Sequence, residues 1–415
     1  MKIYLVGGAI RNKLLGLPVH EKDWVVIGAR PEELTHKGYR QVGKNFPVFL
    51  HPDTQEEYAL ARRERKIGLG YTGFSCEATP EVSLEEDLRR RDLSINAIAE
   101  DADGQLIDPC GGLKDLQNRL LRHISPAFVE DPLRVLRVAR FASTLAPSGF
   151  RIADETLELM RQLSRSGELL QVTAERIWKE TARALMTERP DIYFQTLREA
   201  EALPVWFPEI SALFGVPQNP FWHPEIDTGQ HILLSLQQTA LDNAPLAVRF
   251  AVLVHDVGKA HTASEHLPHH PEHGQRGLPL IQHLAQRLRV PAELRDLALM
   301  VAQFHLELHR LPLNTTETVQ QLYSLITHLD GWRRPQRLPS FVQSCRCDVR
   351  GRLHHDTDPY PQGDTLLAAV AYLQQHLPDS SALTTLPESA RPQFVETHRM
   401  NQLQAWLANT KITGA

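Results

Sequence analysis

The sequence predicts an α+β protein: a small mixed β-sheet domain at the N-terminus, then helices to the C-terminus. Three observations predict it. Short β-like runs at residues 3–6, 24–27, 48–50, 58–61 and 106–108 alternate with helical stretches only up to about residue 120. After His123 apolar residues recur at helical spacing, as in Leu133/Leu136/Phe141, Leu157/Met160, Ile177/Ala184 and Phe194/Leu197, and no strand pattern follows. At 415 residues the chain is also too long for one ordinary core. Boundaries are expected at a head, 1–122; a helical neck and body, 123–215; a second helical domain, 225–350; and a helical tail, 351–415. The Pro-rich stretch Gly215-Val-Pro-Gln-Asn-Pro-Phe-Trp-His-Pro224 reads as the linker between the middle two.

Composition narrows the class. Apolar residues make up 42% and charged residues 23%, values of a globular chain rather than a disordered one. No apolar run reaches membrane-spanning length, and the apolar part of MKIYLVGGA is too short for a signal peptide. Cys76, Cys110, Cys345 and Cys347 form no C-x-x-C pair, so a reduced, cytoplasmic setting is expected. The net charge of −5 gives no whole-chain case for nucleic acid. Local patches make phosphate contacts, however, and basic residues cluster at Arg62/Arg63/Arg65/Lys66, Arg89/Arg90/Arg91 and Arg134/Arg137/Arg140. Any one cluster reads equally well as a solvated helix face. Three within eighty residues, downstream of a phosphate site, do not.

That phosphate site lies in the first two dozen residues. The first β-run stops at Gly7-Gly8, Arg11 follows, and a Gly16/Pro18 turn leads to Glu21-Lys-Asp23 at the head of the second run. Glycines let main-chain N–H groups approach phosphates that a Cβ would hold off. On a strand Glu21 and Asp23 would share one face, a pair of carboxylates suited to hydrated Mg²⁺. Residues 66–85, rich in Gly, Ser, Thr and Pro, read as a long mobile loop, and such loops are more often functional than accidental. Arg89-Arg90-Arg91-Asp92 opens a helical start at Leu93-Ser-Ile-Asn-Ala97; Arg91 suits a triphosphate and Asp92 a ribose hydroxyl. Asp108-Pro-Cys-Gly-Gly112 reads as a hinge without chemistry. In Glu130-Asp131-Pro132-Leu133-Arg134 the proline fits a first helical turn, placing Asp131 and Arg134 three apart on one surface. A carboxylate that accepts beside a guanidinium that donates can imitate a base edge, the alternative being an ordinary intrahelical ion pair.

Together GGAIR, the acidic pair before WVV, RRDLSINA, DPCGG and EDPLRVLRVARF resemble the class II tRNA nucleotidyltransferases, the bacterial CCA-adding enzymes, in order and approximate spacing over essentially the whole chain. The resemblance implies a palm-type nucleotidyltransferase head and the following roles. Glu21 and Asp23 hold Mg²⁺; Gly8 and Arg11 contact the triphosphate; Arg91 and Asp92 serve phosphate and ribose. Asp131 and Arg134 template the base, Arg137 and Arg140 complete the ATP/CTP pocket, and the 66–85 loop serves the switch from C to A addition. Two departures are Glu21, where the family usually has Asp, and Asn12, which replaces an aspartate. The extra methylene of Glu21 moves its oxygens by about a bond length, and misplacement of about 1 Å can cost on the order of 10²-fold in rate.

The second helical block carries many of the 20 histidines. His231, the adjacent pair in His255-Asp256-Val-Gly-Lys259, His273, His305 and Asp348 suit one or two transition-metal ions. This resembles the HD-domain metal phosphohydrolases that some bacterial CCA enzymes carry C-terminally. His231, His255, Asp256 and Asp348 are the preferred ligands, with His273 and His305 for a second metal or the substrate phosphate, and a divalent transition metal such as Ni²⁺ as cofactor. The expected partners are tRNA, CTP and ATP, with no membrane, in a monomer or homodimer. The expected activity is CCA addition with added phosphatase, 2′-nucleotidase and 2′,3′-cyclic phosphodiesterase activity. The rivals are a poly(A) polymerase with the same head, a hydrolase with a degenerate transferase site, and a non-catalytic RNA-binding protein.

Overall fold

The computed structural model describes residues 1–42, 48–66 and 74–410. It forms two compact units, Met1–Ala184 with Ile192–Trp206, and Leu185–Asp191 with Phe207–Ala415.

The first unit is built on a mixed sheet. Its strands are β1 (Lys2–Val6), β2 (Asp23–Ile27), β3 (Arg40–Val42), β4 (Val48–Leu50), β5 (Glu57–Leu60), β8 (Ala99–Glu100) and β9 (Leu106–Ile107), ordered β3-β4-β5-β2-β1-β8-β9. β6 (Arg63–Lys66) pairs with β7 (Phe74–Glu77), and β10 (Leu120–Leu121) with β11 (Arg151–Ile152). Successive strand residues face opposite ways, so β2 serves two cores. Val26 packs with Ala29, Leu34, Phe49, Tyr58 and Leu60, while Val25 packs with Val6, Leu88, Ala97 and Ala99. Asp23 therefore shares the face of Val25. β2 and β5 run parallel with Asp23 opposite Glu57, which brings Glu57 to that face as well.

The α+β architecture is as the sequence predicts, with local differences. β2 starts at Asp23, so Glu21 lies in the exposed connection before the strand rather than on it. β11 is a strand beyond His123 that the helical periodicity hides, because it is only two residues long and pairs with an equally short partner. Within the expected mobile loop, β7 pairs back on β6 and a helix runs Leu84–Arg89, capped by Ser83, whose hydroxyl accepts from the Glu86 N–H. Residues 67–73 of that loop lie outside the described residues. The stretch expected as a linker is folded into the second unit. Pro217 bridges Asp227, the Gln218 N–H donates to the Ile226 carbonyl at 2.7 Å, and Gln218 itself is buried.

The second unit is helical, and five segments of it converge: Thr228–Leu241, Leu246–Val254 with the 3₁₀ turn Val257–His261, His273–Leu288, Ala292–His309 and Leu338–Arg350. Two glycines set their approach. A Cβ on Gly258 would come 2.0 Å from the His273 carbonyl oxygen, and one on Gly274 would come 2.3 Å from that of Ala302. Helices at Pro361–Gln375 and Arg391–Asn409 form the tail. Among the described residues no helix is long and apolar enough to cross a membrane.

Candidate nucleotide site and candidate metal centre

In the first unit a cleft of about 1040 Å³ gathers every nucleotide-site residue read from the sequence: Gly8, Arg11, Glu21, Asp23, Arg91, Asp92, Asp131, Arg134, Arg137 and Arg140 all line it. At its head Gly7 adopts φ +74°, and its missing side chain leaves room for Arg91; a Cβ there would sit 3.2 Å from Arg91 Nη1 and 3.7 Å from an Asp23 carboxylate oxygen. The helix Gly8–Leu15 starts at this point without a side-chain cap, which leaves its first N–H groups without a side-chain acceptor, as an anion site would need. Burial raises the Asp23 carboxyl above its ordinary value, Arg91 pulls it back, and neighbouring Glu21 adds to the rise. Glu57 adds a third carboxylate to Glu21 and Asp23 in the lining of the same cleft.

The arginines are held by carboxylates and carbonyls. Asp92 is buried; it accepts from the Leu93 N–H (2.9 Å), Asn96 Nδ2 (3.1 Å) and Arg137 Nε (2.8 Å). Burial alone would push its carboxyl up, but Arg137, Asn96 and Arg134 outweigh that and hold it well below the usual carboxylate range. Arg140 Nε donates to Glu180 at 2.5 Å, and Arg137 Nη1 reaches the other Glu180 oxygen at 3.4 Å. Arg11 donates to Asn96 Oδ1 (2.7 Å) and to Asn12 Oδ1 (2.9 Å), so the asparagine still serves as an acceptor for this guanidinium. Burial and Arg140 lower Arg11 to about 10. Arg11, Arg137 and Arg140 surround the Phe141 ring at 5.3, 5.6 and 4.3 Å from its centroid.

Asp131 and Arg134 differ from the expected helical pair. The helix runs Arg134–Leu145 with Leu133 as its N-cap, and Asp131 is extended before it. The two side chains have separate partners: Asp131 accepts from Arg176 (2.8 Å), while Arg134 donates to the carbonyls of Ala127 (2.8 Å) and Arg90 (2.5 Å). Both still line the cleft, each fixed in direction. The Asp-Pro-Cys-Gly-Gly motif is a clamp. Asp108 accepts from the Gly112 and Leu113 N–H groups (2.8 and 2.9 Å), and a Cβ on Gly112 would come 2.2 Å from the Ser94 carbonyl oxygen. It thereby presses on the turn that carries Asp92 and Asn96.

Sequence reasoning missed Glu57, Glu180 and the Arg176/Lys179/Arg183 stripe, all of which except Glu180 line the cleft. The i, i+3, i+7 spacing of 176, 179 and 183 was a signal for one helix face; nothing local marks Glu57.

In the second unit His231, His255, Asp256, His273, His305 and Asp348 meet in one buried cluster. His231 Nε2 lies 2.9 Å from Asp348 Oδ1, and His255 Nε2 lies 3.3 Å from Asp256 and 3.6 Å from Asp348. His273 Nε2 stands 3.1 Å from Asp256 Oδ1 and 3.2 Å from His305 Nε2. The Nδ1 atoms of His255, His273 and His305 all abut backbone carbonyls, of Val252 (2.8 Å), His270 (2.8 Å) and Val301 (2.9 Å). That assigns the proton to Nδ1 and turns each Nε2 lone pair inward, the orientation a metal needs. His255 Nε2 and Asp256 Oδ1 are buried and, although opposite charges stand near, neither has a well-directed hydrogen bond. Burial would lower the His255 imidazole, but Asp256 and Asp348 drive it up to about 10. The cluster demands positive charge, and its N/O donor set fits a transition-metal ion. Sequence reasoning missed Glu225, whose carboxylate lies 2.9 Å from His231 Nδ1, and His309, whose Nε2 reaches Asp348 Oδ2 at 2.7 Å. The His305/His309 i, i+4 spacing marked the latter.

Comparison with known proteins bears on both units. Residues 3–122 match the family model of the poly A polymerase head domain, and residues 149–214 that of the probable RNA and SrmB-binding site of polymerase A. Three solved structures align over nearly the whole chain. The Thermotoga maritima CCA-adding enzyme complexed with tRNA superposes at TM-score 0.63 and 18% identity, over 99% of this chain and 88% of that one. A CCA-adding enzyme with ATP superposes at 0.64 and 17%, over 97% and 86%, and one with CTP at 0.63 and 18%, over 99% and 88%. The chain has the CCA-adding enzyme fold. Within that fold the arginine-rich cleft falls in and around the poly A polymerase head, and the histidine cluster falls outside both matched segments.

Proposed function

We propose that this chain is a tRNA nucleotidyltransferase that adds CCA from CTP and ATP, and that its second unit is an HD-type metal-dependent phosphohydrolase. The transferase reading rests on one observation: a single cleft combines a glycine-started helix, the Glu21 and Asp23 carboxylates and a set of arginines held by acceptors. The solved relatives described as bound to tRNA, ATP and CTP support the same partners.

In this reading the tRNA 3′-hydroxyl attacks the α-phosphorus of the nucleotide, forming the new P–O bond; the P–O bond to pyrophosphate breaks and the hydroxyl proton passes to solvent. Glu21 and Asp23 would hold Mg²⁺, which would supply charge neutralisation and a lowered hydroxyl pKa. Gly8 N–H, Arg11 and Arg91 bind the triphosphate, and Asp92 serves the ribose side of the pocket, where it holds Arg137 and Asn96. Asp131 and Arg134, each fixed by its own partners, accept from and donate to the base edge, so no nucleic-acid template is needed. Arg137 and Arg140 close the pocket. Incorporation of labelled CTP and ATP into a tRNA lacking its 3′ end tests this; ATP-only tailing would make the chain a poly(A) polymerase instead.

In the second unit His231, His255, Asp256 and Asp348 would hold a divalent transition metal such as Ni²⁺, with His273 and His305 beside it for a second ion or a phosphate. The metal supplies Lewis-acid activation for hydrolysis of 2′-phosphate and 2′,3′-cyclic phosphate ends. The Asp23→Ala variant separates the two activities. Hydrolysis that persists in it without any nucleotide addition by the wild type would leave a hydrolase with a degenerate head.

A further inference from the structure

The helix Ala174–Leu185 carries a stripe that the nucleotide reading leaves without a task. Ile177, Thr181 and Ala184 are buried, and buried Glu180 holds Arg140 from the border of that face, which fixes the helix's rotation about its axis. The i, i+3, i+7 spacing then sets Arg176, Lys179 and Arg183 along the side away from the core, and all three line the nucleotide cleft. Their bonding differs. The guanidinia of Arg91, Arg134, Arg137, Arg140 and Arg176 each have a carboxylate or carbonyl acceptor, Arg176 that of Asp131 at 2.8 Å. Lys179 is half-buried and Arg183 exposed, and neither has an ion pair or hydrogen bond among the described residues. Exposed cations are ordinarily just solvated. These two differ in facing a cleft whose neighbouring guanidinia are already committed.

The incoming nucleotide does not call on them. Its triphosphate has Gly8, Arg11 and Arg91, and its base has Asp131, which Arg176 tethers. Arg183 stands about 10 Å along the helix from Arg176, at 1.5 Å per residue, so the stripe runs on past the residue that reads the base. The other substrate that must enter is the acceptor strand, because its 3′-hydroxyl has to reach the α-phosphorus. That strand brings one phosphate charge per nucleotide. Lys179 and Arg183 are one helical turn apart, about 5–6 Å between Cβ atoms, and suit two successive phosphates. Contacts of this kind set position and register without reading sequence.

We propose that Lys179 and Arg183 bind the two 3′-terminal phosphates of the tRNA acceptor strand and so place its 3′-hydroxyl, an assignment that rests on the transferase reading for the identity of the substrate. The test uses the full chain and a tRNA lacking its 3′ CCA, without nucleotide so that nothing turns over, with binding read by fluorescence anisotropy over a salt series. Each phosphate contact to a single strand contributes about 0.7 to the slope of log affinity against log salt. The Lys179→Gln/Arg183→Gln double variant is therefore expected to lose about 1.4 of that slope and to bind about tenfold more weakly near 0.1 M salt. In CTP incorporation its KM for tRNA should rise and its KM for CTP should hold. Thermal melting checks folding, which two outward cations should not govern. The same tRNA with its two 3′-terminal linkages made as uncharged methylphosphonates locates the contacts: wild type should lose the same slope on it, and the double variant nothing further. An unchanged slope in the double variant, a raised KM for CTP with unaltered tRNA binding, or additive losses from the variant and the methylphosphonates overturns the proposal. Incorporation by wild type is scored apart. Binding that depends on the two cations without any CTP addition sinks the transferase reading and leaves the proposal standing; CTP addition with tRNA binding indifferent to them does the reverse.

Discussion

Glu180 is the residue on which the arginine arrangement depends most. It is 4% exposed and faces two guanidinia, Arg140 at 2.5 Å and Arg137 at 3.4 Å. Arg137 also has Asp92 at 2.7 Å, so a Glu180→Gln change leaves it paired and strips only Arg140 of its counter-charge. Breaking a buried pair by deleting one partner costs about 3–5 kcal/mol. The glutamine oxygen keeps an acceptor for Arg140 Nε, and the cleft admits some water, so about 2 kcal/mol is expected here, near the value of a single charged hydrogen bond. Urea unfolding of the first unit measures it. The change also removes one negative charge from the triphosphate's surroundings. Ground-state affinity for CTP is therefore expected to hold or rise, and selection of CTP over UTP to loosen by about tenfold, equivalent to about 1.4 kcal/mol. Single-nucleotide incorporation reads both. A variant with wild-type stability and unchanged CTP/UTP selection would refute the role given to Glu180; so would a raised KM for CTP with unaltered selection.

Glu57→Gln should slow CTP incorporation at least about tenfold, with the loss partly recovered at high Mg²⁺, if its carboxylate serves beside Asp23; a magnesium titration of initial rates decides it. Gly112→Ala should destabilise the first unit by about 2–4 kcal/mol, an overpacking cost toward the upper end because the clash is with backbone, measured as a shift in its denaturation midpoint. Asp92 is held below its unfolded value, so the stability it contributes is complete above about pH 4 and lost as pH falls below that. The gap between wild type and Asp92→Asn should then shrink by about 1.4 kcal/mol per pH unit below pH 4, followed by denaturation at pH 6, 4 and 3. Adding a divalent transition metal at about 100-fold over its Kd should stabilise the second unit by about 2.7 kcal/mol. In scanning calorimetry that gain should be absent from His255→Ala.

The parts of the site legible in the sequence are those whose signals are local. A glycine pair after a strand, an Arg-Asp step before a turn and the His255-Asp256 pair each declare themselves within a few residues. Glu57 does not, because only the parallel register of β2 and β5 puts it beside Asp23. Arg176 reaches the cleft, and Glu180 the arginines that line it, from a helix more than forty residues after Asp131. The Asp131/Arg134 spacing suggested one helical surface, but Asp131 itself is extended, between the 3₁₀ turn Pro126–Glu130 and the helix start, since Pro132 favours a non-helical conformation in the residue before it. The stretch 215–224 has the composition of a linker yet folds, because Asp227 caps it: its carboxylate accepts from the Gly215 N–H at 2.5 Å and its backbone bridges Pro217.

Gly258 and Gly274 carry a consequence for ion choice. Backbone resting on backbone at these two points spaces the helices that bear His255, His273 and His305. Under the proposed metal binding that spacing would set the ion size and coordination number the cluster accepts, and a single added methyl group at either glycine, two residues after Asp256 or next to His273, would retune it.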